Sequence, residues 1–198
     1  KYKKESHQLL RILTDTIAEY VAYQCLGGAQ LIQIFDSWGG DLSPEFFEEF
    51  SAPYLLEIPK LARNILINKL NRPDLAENIP FLAFPKGAHE SIELFCKSQS
   101  EYNGVSVDWS MNPKRIRERV DIKDNNERKT ILQGNLDPCI LYANDDVIRS
   151  STEKMLKQFG TKSHHIANLG HGMLPDHTPE KLKVYLESIR DISIELNK

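Results

Sequence analysis

Cysteine is scarce in this sequence of 198 residues: only Cys25, Cys96 and Cys139, widely spaced and odd in number. That argues against a disulfide framework and points to reduced thiols of an intracellular protein. No Cys-x-x-Cys and no His-Glu-x-x-His is present, so no structural zinc site is expected. A surplus of one charge is also lacking. The 25 basic and 28 acidic residues leave a net charge of −3, which gives no electrostatic argument for nucleic acid or an anionic membrane surface. No apolar run approaches the roughly 20 residues of a membrane-spanning helix. The opening Lys1-Tyr2-Lys3-Lys4-Glu5 is charged and carries no apolar segment of the signal-peptide kind. An initiator methionine is lacking, and the chain begins at the edge of a helix. The expectation is a piece of something longer.

What is present is ordinary for a globular domain: 40% hydrophobic and 27% charged residues, with length enough for one core. Residues 6–26 read as a helix, with Leu10, Leu13, Ile17, Tyr20 and Val21 on one face and Gly27-Gly28 at its end. Ala29 to Phe35 reads as a buried strand. Ser43 and Pro44 open a helix as cap and first residue, giving helices over 44–50 and 53–69. Residues 70–79 read as a loop and Ile79 to Phe84 as a second strand. A helix over 89–99 and a third strand over Gly104 to Trp109 follow. Asn112-Pro113 starts a helix over 113–120, and 121–128 is a charged loop. Thr130 to Gln133 is the fourth strand, 144–159 a helix ending at Gly160, and 164–169 the fifth strand. Thr178-Pro179-Glu180 opens a last helix to about Ile194.

Strand, loop and helix therefore repeat about five times. Such alternation implies an α/β fold with a parallel sheet and helices outside. In open α/β sheets and in (β/α)₈ barrels alike, function sits at the carboxyl ends of the strands. A full barrel takes about 250 residues, so five units are too few for one.

Three strand-end stretches carry the chemical information. Phe35-Asp36-Ser37-Trp38-Gly39-Gly40 offers a hydroxyl, a carboxylate and two aromatic faces. Its plainer explanation is a capping turn with Phe and Trp in the core. Gln133 to Cys139 has the Gly, Asn, Asp and Pro of a tight turn, and that explanation suffices for most of it. Gly170-His171-Gly172 holds a histidine between two glycines, which allow unusual backbone conformations and close approach of a ligand. That imidazole is placed to donate or accept near neutral pH.

Other chemistries fit less well. Pro175 stands where a dinucleotide fingerprint needs its third glycine. Ser37 lies in DSWGG rather than in a Gly-x-Ser-x-Gly elbow, which weakens a hydrolase triad with His171. Nothing near Cys139 supplies a base for a nucleophilic thiol. His164, His165, His171 and His177 match no zinc spacing, and strand alternation sends His164 and His165 to opposite faces.

Taken together, FDSWGG-x-LSP at 35–44, QGNLDPC-x-LYA at 133–143 and NLGHG-x-x-PD at 168–176 resemble the uroporphyrinogen decarboxylase family. FSAPYL at 50–55 and VDW at 107–109 look like that family too, and the likeness covers essentially the whole chain. The resemblance implies the second half of a single distorted (β/α)₈ barrel domain, TIM type, spanning 1–198. It implies a homodimer, no metal, no organic cofactor, and a cytoplasmic location, or a plastid one if a transit peptide precedes. The implied reaction removes carbon dioxide from the four acetate side chains of uroporphyrinogen III, giving coproporphyrinogen III in heme and chlorophyll biosynthesis. The family's binding serine and histidine match Ser37 and His171, both assigned to substrate carboxylates on one cleft, with Phe35 as a wall of it. The family's arginine-rich motif, central aspartate and binding tyrosine have no counterpart in 1–198, so the catalytic group is not among these residues. Two alternatives remain. One is a corrinoid-dependent methyltransferase of the same superfamily, whose His-x-Cys zinc pair is not found here. The other is a non-catalytic barrel fragment serving as an interaction module.

Overall fold

Five short apolar runs become strands and the intervening stretches carry helices in the computed structural model, which describes residues 1–97, 99–122, 130–160 and 164–197. The strands are β1 (Ile32–Asp36), β2 (Phe81–Pro85), β3 (Gly104–Ser106), β4 (Ile131–Leu136) and β5 (His165–Leu169). The helices are α1 (Lys3–Leu26), α2 (Pro44–Phe50), α3 (Ala52–Asn68), α4 (Pro73–Asn78), α5 (Pro113–Ile122), α6 (Asp145–Phe159) and α7 (Pro179–Leu196). This is the α/β class that the alternation implied. The chain forms two compact units, Lys1–Val105 and Ser106–Lys198.

In the first unit β1 pairs with β2 in parallel, Ile32 opposite Phe81 and Asp36 opposite Pro85, and β2 pairs with β3, Leu82 opposite Gly104. β2 is buried along its whole length, as a central parallel strand covered on both faces must be. Its core includes Phe47, Ile58, Leu66, Phe81, Leu82, Ile92 and Phe95. Ser43 caps α2 by accepting the Phe46 N–H, and Pro44 takes the first turn. Beyond the strand ends the Lys86 N–H donates to the Asp36 carbonyl (3.0 Å) and the Gly40 N–H to the Lys86 carbonyl (2.9 Å). The two loops then touch main chain to main chain. A Cβ placed on Gly40 would sit 2.7 Å from the Cα of Gly87.

In the second unit β4 pairs with β5 in parallel, Leu132 opposite His165 and Leu136 opposite Leu169. The Val107 N–H donates to the Gln133 carbonyl (2.8 Å), and the buried Gln133 amide donates to the Ser106 hydroxyl (2.8 Å). Asn112, Asn144 and Thr178 accept the N–H groups of Arg115, Val147 and Lys181 and so cap α5, α6 and α7, as their residue types favour. Ile116, Leu132, Leu141, Ile148 and Tyr185 fill the core.

Several expectations change. Of the apolar face read on α1, only Val21 is buried. Thr14, Ala18, Val21, Ala22 and Cys25 are buried, while Leu13, Ile17 and Tyr20 (64% exposed) face out. Small residues let α1 lie close on α3, a pairing that Arg11–Glu57 and Lys69–Glu19 ion pairs flank. Residues 70–79 are not all loop. Pro73 and Asp74 suit a first turn, and the Arg63 guanidinium donates to the carbonyls of Ala76 and Ile79, completing α4. The helix read over 89–99 is a shorter 3₁₀ segment, His89–Phe95. β3 stops at Ser106 because Asp108 turns the chain, accepting the Ser110 N–H (3.0 Å). β4 starts one residue later than read and continues through Gly134 and Asn135 to Leu136. Of the charged loop read over 121–128, 121 and 122 end α5 and the rest lies outside the described residues.

The Gly40–Gly87 contact has a measurable consequence. Gly40→Ala should destabilise the protein by about 1–3 kcal/mol, because backbone rather than a flexible side chain must yield. Gly172→Ala, where the space is open, should change stability by less than about 0.5 kcal/mol. Urea unfolding midpoints of the two variants, each made in the full-length polypeptide that carries these residues, check the contrast, and equal midpoints would show that the loops do not need the contact.

Candidate functional site

In the first unit the β1 end carries Phe35, Ser37 and Trp38. Ile32 and Ile34 point into the core, so the two-residue period turns Phe35 outward. It is 61% exposed and meets Phe84 edge-on, ring centroids 5.9 Å apart. Trp38 is 73% exposed with the Lys86 ammonium 5.8 Å above its ring. The expectation that these two aromatics serve the core therefore fails. Asp36 makes the turn. Its carboxylate accepts the Trp38 N–H (3.3 Å) and the Ser51 hydroxyl, tying the turn to the start of α3. Ser37 is half-buried, and its hydroxyl makes no hydrogen bond among the described residues. A cavity of about 240 Å³ in this unit is lined by Gly39, Gly40, Phe47, Gly87, His89 and Ser91 among others, but not by Phe35 or Ser37.

In the second unit the ends of β3, β4 and β5 carry Trp109, Asp137 and His171. His171 is exposed, its ring nitrogens make no hydrogen bond among the described residues, and Trp109 stacks on it at 6.0 Å and 25°. Of its two flanking glycines, Gly170 is the one the structure requires. A Cβ there would fall 2.3 Å from the Trp109 nitrogen. The approach that the glycine permits is by a neighbouring strand end.

Two other histidines, His165 and His177, serve the fold. Burial pushes the His165 imidazole below its ordinary pKa, and the ring stacks on Phe159 at 3.8 Å with its Nε2 2.6 Å from the Gly134 carbonyl. His177 is buried, and its Nδ1 accepts the Leu174 N–H (3.1 Å). Asn135 is buried and structural as well, its amide donating to the Asp108 and Met111 carbonyls (both 2.8 Å).

Two contacts were missed in the sequence. The Tyr142 hydroxyl donates to Asp176 (2.5 Å), joining the loops after β4 and β5. That bond pushes the phenol up to about 12 and holds the Asp176 carboxyl below its ordinary value. Asp137 caps the 3₁₀ turn Pro138–Tyr142 by accepting the Cys139 N–H (2.9 Å). The Asp137 charge, then burial, pushes the exposed Cys139 thiol up, opposite to what a nucleophilic thiolate needs.

These features define a class: a parallel α/β chain that gathers exposed aromatic and polar side chains at the carboxyl ends of its strands. Comparison with known proteins identifies which. Residues 1–192 match the family model for uroporphyrinogen decarboxylase (URO-D). Uroporphyrinogen decarboxylase of Dictyostelium discoideum is 40% identical over 196 residues, 99% of this chain and 49% of its own length. The protein of that name from Schizosaccharomyces pombe is 40% identical over 188 residues, 94% and 49% of the two chains. That of Danio rerio is 39% identical over 198 residues, 100% and 50%. The chain belongs to the uroporphyrinogen decarboxylase family. It spans about half the length of the curated relatives it matches.

The Asp137–Cys139 pair is directly testable. Asp137→Asn keeps an acceptor for the Cys139 N–H but removes the charge, so the thiol should ionise more readily and alkylation by iodoacetamide at mildly alkaline pH should speed up. Mass mapping should place the label on Cys139, with buried Cys25 and Cys96 unlabelled in the native protein. An unchanged rate would remove the electrostatic account.

Proposed function

We propose that this chain is the carboxyl-terminal half of a cofactor-independent uroporphyrinogen decarboxylase, one part of a single (β/α)₈ barrel domain. The observation that carries the reading is the family match over residues 1–192, together with the presentation of Ser37 and His171 at strand ends with uncommitted polar atoms. The substrate is uroporphyrinogen III and the product coproporphyrinogen III, in heme biosynthesis. The protein works as a homodimer in the cytoplasm. No helix among the described residues is long and apolar enough to cross a membrane.

The chemistry needs no metal or organic group. A proton adds to a ring carbon of one pyrrole and makes the ring cationic. The bond from the side-chain methylene to its carboxylate then breaks, carbon dioxide leaves, and the bonding electrons neutralise the ring. A proton then adds to the exocyclic methylene carbon to make the methyl group, and the ring carbon gives up the proton it first gained, which restores the neutral aromatic pyrrole. Four such rounds convert four acetates to four methyl groups. Such a reaction needs fixed donors for the carboxylates and a group that stabilises the cationic ring. Ser37 Oγ and an imidazole N–H of His171 are the donors in this reading, and Phe35 is an apolar wall. The group facing the pyrrole nitrogens lies outside these residues, because neither Asp36 nor Asp137 is free for it. Asp36 is bound to Ser51 and the Trp38 N–H, and Asp137 caps a turn.

The test is an anaerobic assay of the full-length polypeptide that carries these residues. Hydrogen bonds to a charged group contribute about 1.5–3 kcal/mol. Ser37→Ala and His171→Ala should therefore each raise KM for uroporphyrinogen about 10- to 100-fold, with smaller changes in kcat. KM values within about twofold of wild type for both variants would remove both residues from substrate binding.

A further inference from the structure

We infer that Trp109 is a positioning residue for His171: its indole face sets the plane in which the imidazole presents its nitrogens. The inference rests on the reading that His171 contacts a substrate carboxylate. Three observations carry it, all within the second unit.

The first is that the Trp109 backbone is fixed. The buried Asn135 amide donates to the carbonyls of Asp108 and Met111, on either side of it, and the Asp108 carboxylate accepts the Ser110 N–H. The second is that the main chain leading into His171 is fixed against the same segment. The Gly170 N–H donates to the Leu136 carbonyl (2.7 Å), which carries the β4–β5 pairing one residue past β5. The lack of a Cβ on Gly170 lets it lie against the Trp109 backbone. The third is that the two exposed rings meet in a stack, 6.0 Å between centroids and 25° between planes.

Beyond His171 the chain runs exposed to Asp176, and no hydrogen bond among the described residues holds the imidazole. A histidine ring fixed at its backbone but held by no hydrogen bond still turns about its two side-chain bonds. A stacked indole restricts that turning at little entropic cost, since Trp itself has only two such bonds. It leaves both ring nitrogens open to a ligand. Trp109 is 41% exposed, which is poor placement for a core residue and good placement for a side chain whose partner is another exposed ring.

The experiment uses the full-length polypeptide labelled with fluorotryptophan. The fluorine resonance lost in Trp109→Phe identifies Trp109. That resonance should move in His171→Ala, which removes the stacked ring, and stay near its wild-type position in His171→Phe, which keeps a ring there. A resonance unmoved in His171→Ala overturns the inference. Kinetics supply the second arm. Trp109→Leu should raise KM for uroporphyrinogen roughly three- to tenfold, the worth of one aromatic pair, with kcat changed less. Trp109→Phe, which keeps a ring face, should recover most of that loss. Equal KM for the Leu and Phe variants also overturns the inference. If His171→Ala leaves KM unaltered, the carboxylate reading fails, while the fluorine shift still decides whether Trp109 meets the ring.

Discussion

The parallel register is the constraint on which the rest depends. Asp36 stands opposite Pro85 in one unit and Leu136 opposite Leu169 in the other, so within each unit paired strands end level. Parallel strands need a crossover between them, and these crossovers are helical. The loops at the carboxyl ends are then free to differ in sequence without cost to the ladder, which is why such ends carry chemistry. Level ends also force the loops together. The protein meets that crowding with backbone contacts only glycine allows, Gly40 against Gly87 and Gly170 against Trp109.

Much of this was legible in the sequence, because the signals are local. Five apolar runs marked the strands. Ser43, Asn112, Asn144 and Thr178 announced helix starts through side chains that accept N–H groups two or three residues on. Gly160 announced a helix end. The strand-end stretches around Ser37 and His171 stood out because they break the apolar pattern.

What was not legible depends on partners distant in the chain. The buried face of α1 is chosen by close packing on α3, which favours Ala18 and Ala22 over the larger Leu13 and Ile17; periodicity alone counted the larger side chains. α4 rests on Arg63, a residue of α3. Phe35, Trp38 and Trp109 are exposed against the usual expectation for aromatics. The Ser51–Asp36, Tyr142–Asp176 and Trp109–His171 pairs join residues with no motif between them. A sequence signal for Trp109 did exist: an aromatic residue two positions past Val107, just beyond a strand, at the end where ligands sit. VDW at 107–109 by itself marks only the family likeness, and the stack on His171 marks Trp109 as a site residue.

The central claim is that these residues supply substrate carboxylate donors but not the group that stabilises the cationic pyrrole. A donor aimed at developing charge is commonly worth about 3–4 kcal/mol, or hundreds-fold in rate. The α1 surface bears exposed Leu9, Ile12, Leu13, Ile17 and Tyr20, and apolar patches of that kind drive association. The most direct measurement is to express residues 1–198 alone, determine the state of association, and assay coproporphyrinogen formation from uroporphyrinogen under anaerobic conditions. The account predicts an associating or partly unfolded species with no decarboxylation. Turnover near that of a full-length relative would contradict it and place the catalytic centre within these residues.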